Sequence, residues 1–272
     1  MLAVKANGAV IPILGLGTWD LRGKTCTRVV EQALRLGYRH VDTAQTYDNE
    51  REVGEGVRAA GLPREQVFVT TKVSWTHFAA GELERSVAES LAKLKLAHVD
   101  LLLLHWPNVS VPLAETIEAM GKVKREGLTR HIGVSNFTVA LLEQALAISP
   151  EPIAVNQFEL HPYLEQSKLI AACRRHGVAV TAYSPIARGA IKGDETLARI
   201  GGAHGKSAAQ VCLRYFVQQG IIVVPRTSRI ERLTENFEIF DFALLPHEIA
   251  AIRALVRPGS RIVNPSWAPD WD

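Results

Sequence analysis

The chain has 272 residues, 47% of them hydrophobic and 22% charged, with a formal net charge of +3. That is enough apolar material for a large core, and the interspersed charges give no electrostatic support for a nucleic-acid or membrane-surface partner. Three distant cysteines, Cys26, Cys173 and Cys212, form no CxxC pair; they argue against a disulfide framework or zinc site and read as free thiols of a reducing cytosol.

In chain order, the start MLAVKANGAV lacks the apolar core of a signal peptide, so a cytoplasmic protein is expected. Ile13–Gly17 reads as a first strand. The amphipathic stretch Lys24–Leu36 follows, with Val29, Val30, Ala33 and Leu34 on one face and Gly37 as a C-cap. His40–Asp42 is a second strand, and Asn49–Ala60 a helix that stops at Gly61. Val67–Val73 precedes Ala80–Leu94, and Val99–His105 precedes Val111–Glu126, which ends at Gly127. His131–Ser135 leads to Thr138–Ala147, ended before Pro150; Ala154–Glu159 leads to Gln166–His176, ended at Gly177. Ala179–Ser184, the helix Ser207–Gln219 before Gly220, and the strand Ile221–Pro225 complete the series, with a basic helix start just beyond. Every helix is read as closing on a glycine or proline signal. The longest apolar runs, such as Val99–Leu104, are too short to span a bilayer.

Strands such as LLLLH and VFVTTKV are almost continuously apolar, as suits parallel sheets covered on both faces. Eight strand–helix units in one chain of this length predict a single-domain (β/α)8 TIM barrel over residues 1–272. The competing open sheet would carry GxGxxG at its first strand–helix turn; GLGTW lacks the third glycine and an immediate helix.

In such barrels polar residues at the carboxyl ends of strands line the site. Here those ends supply Asp42, Lys72, His105, Ser135, Asn136, Gln157, Tyr183 and Arg226, with Tyr47 one short loop beyond the second strand. A lysine ending an apolar strand must be paired if buried, and Asp42 is the available carboxylate. A cation beside Tyr47 is expected to lower its phenol pKa and make it a proton donor near neutral pH, while His105 hydrogen-bonds a carbonyl oxygen. Each residue alone has a structural reading, as ion pair, core histidine or surface aromatic; the functional case is their shared place at one barrel mouth. None of these side chains supplies electrons, so hydride must come from a cofactor.

The segments VDTAQTYDNEREVG, TTKV, LLHWP, IGVSNF, VNQFELHPY, AYSPIARG and VPRTSRIERLTEN resemble, in order, those of the aldo-keto reductase family. The ending RIVNPSWAPDWD is similar to the short ending of its bacterial 2,5-diketo-D-gluconate reductases of the B type. The resemblance implies an NADPH-dependent carbonyl reductase, monomeric, with Asp42, Tyr47, Lys72 and His105 as catalytic tetrad and Tyr47 as general acid. It implies that Ser135, Asn136 and Gln157 hold the nicotinamide carboxamide, that Tyr183 stacks on the ring, and that Ser184, Pro185, Ile186 and Arg188 follow the pyrophosphate. Arg226, Thr227, Ser228 and Arg232 would grip the adenosine 2′-phosphate, and Glu235 and Asn236 the adenine; Gly17 and Thr18 join Asp42 in the cofactor-contacting set.

The cluster PRTSRIER supports a phosphate monoester independently, since guanidinium forks and hydroxyls suit it and barrels often bind phosphate after the last strand. Arg226 stands where the family often has lysine. Trp19, Trp75 and Trp106, with Tyr47 and His105, are expected to contact substrate, and Trp267 is a further candidate wall. The short segment WPNVSVPL and the short tail predict an open pocket for small polar carbonyls such as methylglyoxal or diketogluconate. The alternatives are a catalytically weak cofactor-binding regulatory or structural barrel, an NADH-preferring enzyme, and a metal-dependent hydrolase, for which the chain offers no convergent ligand set.

Overall fold

The computed structural model of the chain describes residues 2–272. It begins with an antiparallel hairpin, β1 (Ala3–Ala6) and β2 (Ala9–Pro12), in register Ala3↔Pro12 and Ala6↔Ala9. Asn7 and Gly8 turn the hairpin with φ of 44° and 85°, the left-handed pair that a two-residue turn requires. Asn7 Nδ2 donates to the Ile153 carbonyl at 2.7 Å, which seats the hairpin at the amino-terminal end of the strands.

Eight parallel strands follow: β3 (Leu16–Gly17), β4 (His40–Asp42), β5 (Phe68–Val73), β6 (Val99–Leu104), β7 (Thr129–Ser135), β8 (Ile153–Glu159), β9 (Ala179–Tyr183) and β10 (Ile222–Val223). They neighbour one another in chain order. The barrel closes where the first segment meets the last. Gly15 N donates to Val223 O at 2.9 Å, Val223 N to Ile13 O at 2.9 Å and Gly17 N to Pro225 O at 3.0 Å. A Cβ on Gly17 would lie 2.6 Å from the Val224 carbonyl oxygen, so the seam needs glycine there. Leu101 to Leu104 are all buried, because β6 faces the barrel interior on one side and helices on the other.

Ten helices surround the strands among the described residues: α1 (Gly23–Leu36), α2 (Glu50–Ala59), α3 (Glu82–Leu94), α4 (Leu113–Arg125), α5 (Val139–Ile148), α6 (Ser167–Arg175), α7 (Glu195–His204), α8 (Ala208–Val217), α9 (Ile230–Phe237) and α10 (Pro246–Arg253). Their apolar faces are regular; α1 buries Cys26, Val29, Val30, Ala33 and Leu34. Two readings change. Helix α4 starts only after Pro112, and α3 closes on Lys95 at φ 54° rather than on glycine or proline, with Leu96 N bonding back to Leu91 O. That backbone bond satisfies a terminal carbonyl at the expense of left-handed strain in a lysine. Cys26, Cys173 and Cys212 are all buried free thiols; burial pushes Cys26 and Cys173 up to about 12 and Cys212 further. No helix among the described residues is long and apolar enough to cross a membrane.

Candidate active site

Three adjacent strands deliver the central groups to one end of the barrel. Asp42 is the last residue of β4, Lys72 lies near the end of β5, and His105 directly follows β6. A single 3-10 turn, Gln45–Tyr47, carries Tyr47 back over them. Asn49 holds the loop around that turn: it donates to the Thr18 and Leu21 carbonyls at 2.8 and 3.0 Å and accepts from Thr43 Oγ1 at 2.8 Å. Arg22 also donates to the Tyr47 carbonyl.

Lys72 is fully buried, and its Nζ has three acceptors: Asp42 Oδ1 at 2.5 Å, the Thr43 carbonyl at 2.8 Å and the Tyr47 hydroxyl at 3.4 Å. The other Asp42 oxygen accepts from Gln157 Nε2 at 2.8 Å. Tyr47 and His105 pack edge to face with ring centroids 5.6 Å apart. Burial pulls the Lys72 ammonium down, but Asp42 and Tyr47 together pull it up by more, so it keeps its proton. Burial drives the Tyr47 phenol up; Lys72 opposes this and Asp42 adds to it. The net direction for Tyr47 is therefore upward, against the expectation of a lowered value: the cation is present, but desolvation of the phenolate outweighs it. His105 is held well below the ordinary imidazole range by burial and by the Lys72 charge, so it is neutral.

These groups open into a cavity of about 720 Å³. On one side Trp75, Trp106 and Trp267 form a wall, with Trp267 centroids 4.4 Å from Trp75 and 5.0 Å from Trp106. The tail segment Ile262–Val263, with Pro265, completes that wall. Glu159, fully buried at the end of β8, fixes it: its two carboxyl oxygens accept from Ile262 N and Val263 N at 2.7 Å each, and one also meets His161 Nε2 at 3.0 Å. On the other side Tyr183 donates to Asn136 Oδ1 at 2.8 Å, and Asn136 Nδ2 donates to the His105 carbonyl at 3.0 Å. Arg188 lies over the Trp19 ring at 4.5 Å, and Arg226 donates to the Trp19 and Asp20 carbonyls at 3.2 Å.

A cavity with a phenol, a buried lysine–carboxylate pair and a neutral imidazole at its floor can donate a proton to a carbonyl oxygen that is gaining charge. A match to the aldo/keto reductase family spans residues 13–257. The chain belongs to the aldo/keto reductase family. It is an oxidoreductase of carbonyl compounds, as the family's chemistry requires. Methylglyoxal reductase DkgB of Escherichia coli O157:H7 is 41% identical over 266 residues, which cover 96% of this chain and 99% of that protein. A solved structure described as a candidate 2,5-diketo-D-gluconic acid reductase B is 52% identical, covers 100% of this chain and 98% of its own, and superposes with a TM-score of 0.98. A Bombyx mori aldo-keto reductase solved in complex with NADP is 33% identical, covers 93% of this chain and 92% of its own, and has a TM-score of 0.88.

This aldo/keto reductase gathers most of the residues singled out from sequence, but not all. Gly17, Asp42, Asn136, Gln157 and Tyr183 line the cavity, as do Ser184, Pro185, Ile186, Arg188 and Arg226. Thr18 and Ser135 lie behind the wall: Thr18 Oγ1 donates to the Asp42 carbonyl at 2.9 Å and Ser135 Oγ to that of Gln157 at 2.8 Å. Thr227, Ser228, Arg232, Glu235 and Asn236 lie outside the cavity lining, around the start and along the length of α9. There Thr227 Oγ1 accepts from Arg229 N at 3.0 Å, Arg232 pairs with Glu235 at 3.4 Å, and Glu235 accepts from Ser207 at 2.6 Å. All three tryptophans expected to contact substrate line the cavity, although Trp19 sits at its rim, 47% exposed. Glu159 holds the short tail so that Ile262, Val263 and Pro265 join the cavity lining. Trp267, the further candidate wall, lines the cavity as expected; sequence reading missed Glu159, the tail residues Ile262, Val263 and Pro265, and Thr46, of which only Thr46 carried a signal, a hydroxyl beside the expected acid.

Proposed function

We propose that this chain is a cytoplasmic, monomeric reductase that uses NADPH to reduce aldehydes and small ketones, dicarbonyls of the methylglyoxal and diketogluconate kind included. The observation that carries the proposal is the Asp42–Lys72–Tyr47 chain of contacts at 2.5 and 3.4 Å, opening beside neutral His105. NADPH fits the opposite side of the cavity in chemistry: a tyrosine face at Tyr183, amides at Asn136 and Gln157, and the cations Arg188 and Arg226. Ser135, Asn136 and Gln157 would hold its carboxamide, Ser184, Pro185, Ile186 and Arg188 its pyrophosphate, and Arg226, Thr227, Ser228 and Arg232 its 2′-phosphate, with Glu235 and Asn236 at the adenine. Bound there, it supplies the hydride.

The chain's own residues then do the rest. Tyr47 donates its proton to the carbonyl oxygen as negative charge develops on it. The Lys72 ammonium stabilises the phenolate that remains, and Asp42 keeps that ammonium charged and in place. His105 hydrogen-bonds the carbonyl oxygen and orients it. The tryptophan wall excludes water, which strengthens each of these interactions.

The wall also favours a second reading of the substrate: Trp75, Trp106 and Trp267 suit an aldehyde with an apolar or aromatic body better than a polyhydroxylated acid. NADPH consumption by purified protein, followed with methylglyoxal, diketogluconate and an aromatic aldehyde, tests both. Turnover is expected with NADPH, and Tyr47→Phe should lose about 100-fold or more while still binding NADPH. Wild-type turnover by that variant would overturn the mechanism.

A further inference from the structure

The ring of His105 has one hydrogen-bond partner among the described residues, the hydroxyl of Thr46, with Oγ1 3.1 Å from Nδ1. The imidazole lines the cavity beside Tyr47. A neutral imidazole carries a single N–H, and its two nitrogens are not equivalent. With the proton on Nδ1, the ring donates to Thr46 and Nε2 is left as a bare lone pair, which repels a carbonyl oxygen. With the proton on Nε2, Thr46 donates to Nδ1 and Nε2 can donate to that oxygen. The Thr46 hydroxyl has no other hydrogen-bond partner among the described residues, so its own hydrogen is free for Nδ1.

The hydroxyl is also held in place. Thr46 is the middle residue of the Gln45–Tyr47 turn. Gln45 ties that turn down on both sides: Nε2 donates to Ser86 Oγ and Ser90 Oγ at 3.1 Å each, and Oε1 accepts from Ser74 N at 2.8 Å. One anchored turn therefore presents the phenol of Tyr47 and, next to it, the hydroxyl facing His105.

We infer that Thr46 is a positioning residue: its hydroxyl donates to Nδ1 of His105 and so keeps the ring proton on Nε2, ready for the substrate carbonyl. The inference depends on the preceding assignment of His105 as the group that orients the carbonyl. It needs a hydroxyl at 46; an aliphatic side chain of the same shape fills the space but leaves the tautomer undirected.

The test is a nitrogen-15 NMR spectrum of histidine-labelled protein, combined with kinetics of Thr46→Val and Thr46→Ser. In the wild-type spectrum His105 should show a bare Nδ1 and a protonated Nε2. Thr46→Val should move proton onto Nδ1 and lower kcat about 10-fold, the equivalent of one neutral hydrogen bond, with KM changed less than kcat. Thr46→Ser should restore both. A wild-type ring protonated on Nδ1 overturns the inference outright. So does a Thr46→Val spectrum and kcat indistinguishable from wild type. The spectrum needs no turnover, so an active Tyr47→Phe variant would sink the proposed mechanism and leave the tautomer result standing on its own.

Discussion

The buried Asp42–Lys72 pair gives a quantitative test of the site, through Asp42→Asn and the double variant Asp42→Asn/Lys72→Met. At 2.5 Å the attraction is about 7 kcal/mol at an effective dielectric near 20. Asp42→Asn removes that attraction and leaves a fully buried ammonium, so it should cost about 3–5 kcal/mol. Lys72→Met alone strands the carboxylate and should cost a similar amount. Removing both charges leaves no buried ion, only neutral groups short of a partner: the Thr43 carbonyl, the Tyr47 hydroxyl and one end of the amide introduced at position 42, whose oxygen stays with Gln157 Nε2, about 1–3 kcal/mol for each left unpaired. The double variant should thus be destabilised by less than the sum of the single ones, which additivity would put about 6–10 kcal/mol below wild type. Urea unfolding followed by the fluorescence of the five tryptophans measures all four corners of the cycle. The same variants carry a pH signature. In wild type the Lys72 pKa is raised, so its stabilisation is full below 10.5 and lost as pH climbs through the folded value. In Asp42→Asn the largest charge opposing burial is gone, so the folded value should drop and that variant should lose less stability than wild type as pH climbs past 10.5. Additive costs, or an Asp42→Asn loss below about 1 kcal/mol, would refute the claim that the pair is desolvated and coupled.

Arg226→Ala should weaken NADPH binding about 10-fold or more and NADH binding little, since a guanidinium–phosphate contact serves only the phosphorylated cofactor; paired fluorescence titrations check this, and equal losses reject the assignment. His40 and His105 are both held neutral by burial, below their ordinary value of 6.5. The unfolded chain then binds more protons than the folded one in mild acid, so stability should fall as pH drops below 6.5, by up to about 1.4 kcal/mol per pH unit for each ring. Urea midpoints at successive pH values read that slope, and His105→Gln should reduce it. Glu159→Gln replaces an acceptor-only group by an amide with one oxygen, so one of Ile262 N and Val263 N loses its partner. The expected cost is about 1–3 kcal/mol, with a raised KM for bulky aldehydes and a smaller change in kcat; unchanged stability and KM would show that the tail is held by other contacts.

The barrel and its chemical centre were legible because both follow from local signals. Apolar runs of strand length located all eight strands, and polar residues at their ends marked Asp42, Lys72 and His105. The errors cluster where distant parts of the chain decide. The direction of the Tyr47 shift depends on how completely the phenol is buried, which no local pattern reports. Glu159 reads as one more strand-end carboxyl; only the folded tail, a hundred residues on, makes it a clamp. Helices α7 and α10 lie outside the simple strand–helix rhythm and were not named. The β1–β2 hairpin has its own local signal, the turn pair Asn7-Gly8, but its strands are only four residues each and lie outside the strand–helix rhythm. The Arg226–Arg232 cluster was legible as basic, but not that Arg226 lines the cavity while Thr227, Ser228 and Arg232 do not.

The three thiols, in α1, α6 and α8, are sealed in and hold their protons far above neutrality. A maleimide or disulfide reagent meets no accessible thiol on the native surface, and three of ordinary reactivity once the barrel opens. Slow labelling of this protein is therefore a clock for its breathing: the rate counts excursions out of the folded state, and three helices on different parts of the wall keep separate time.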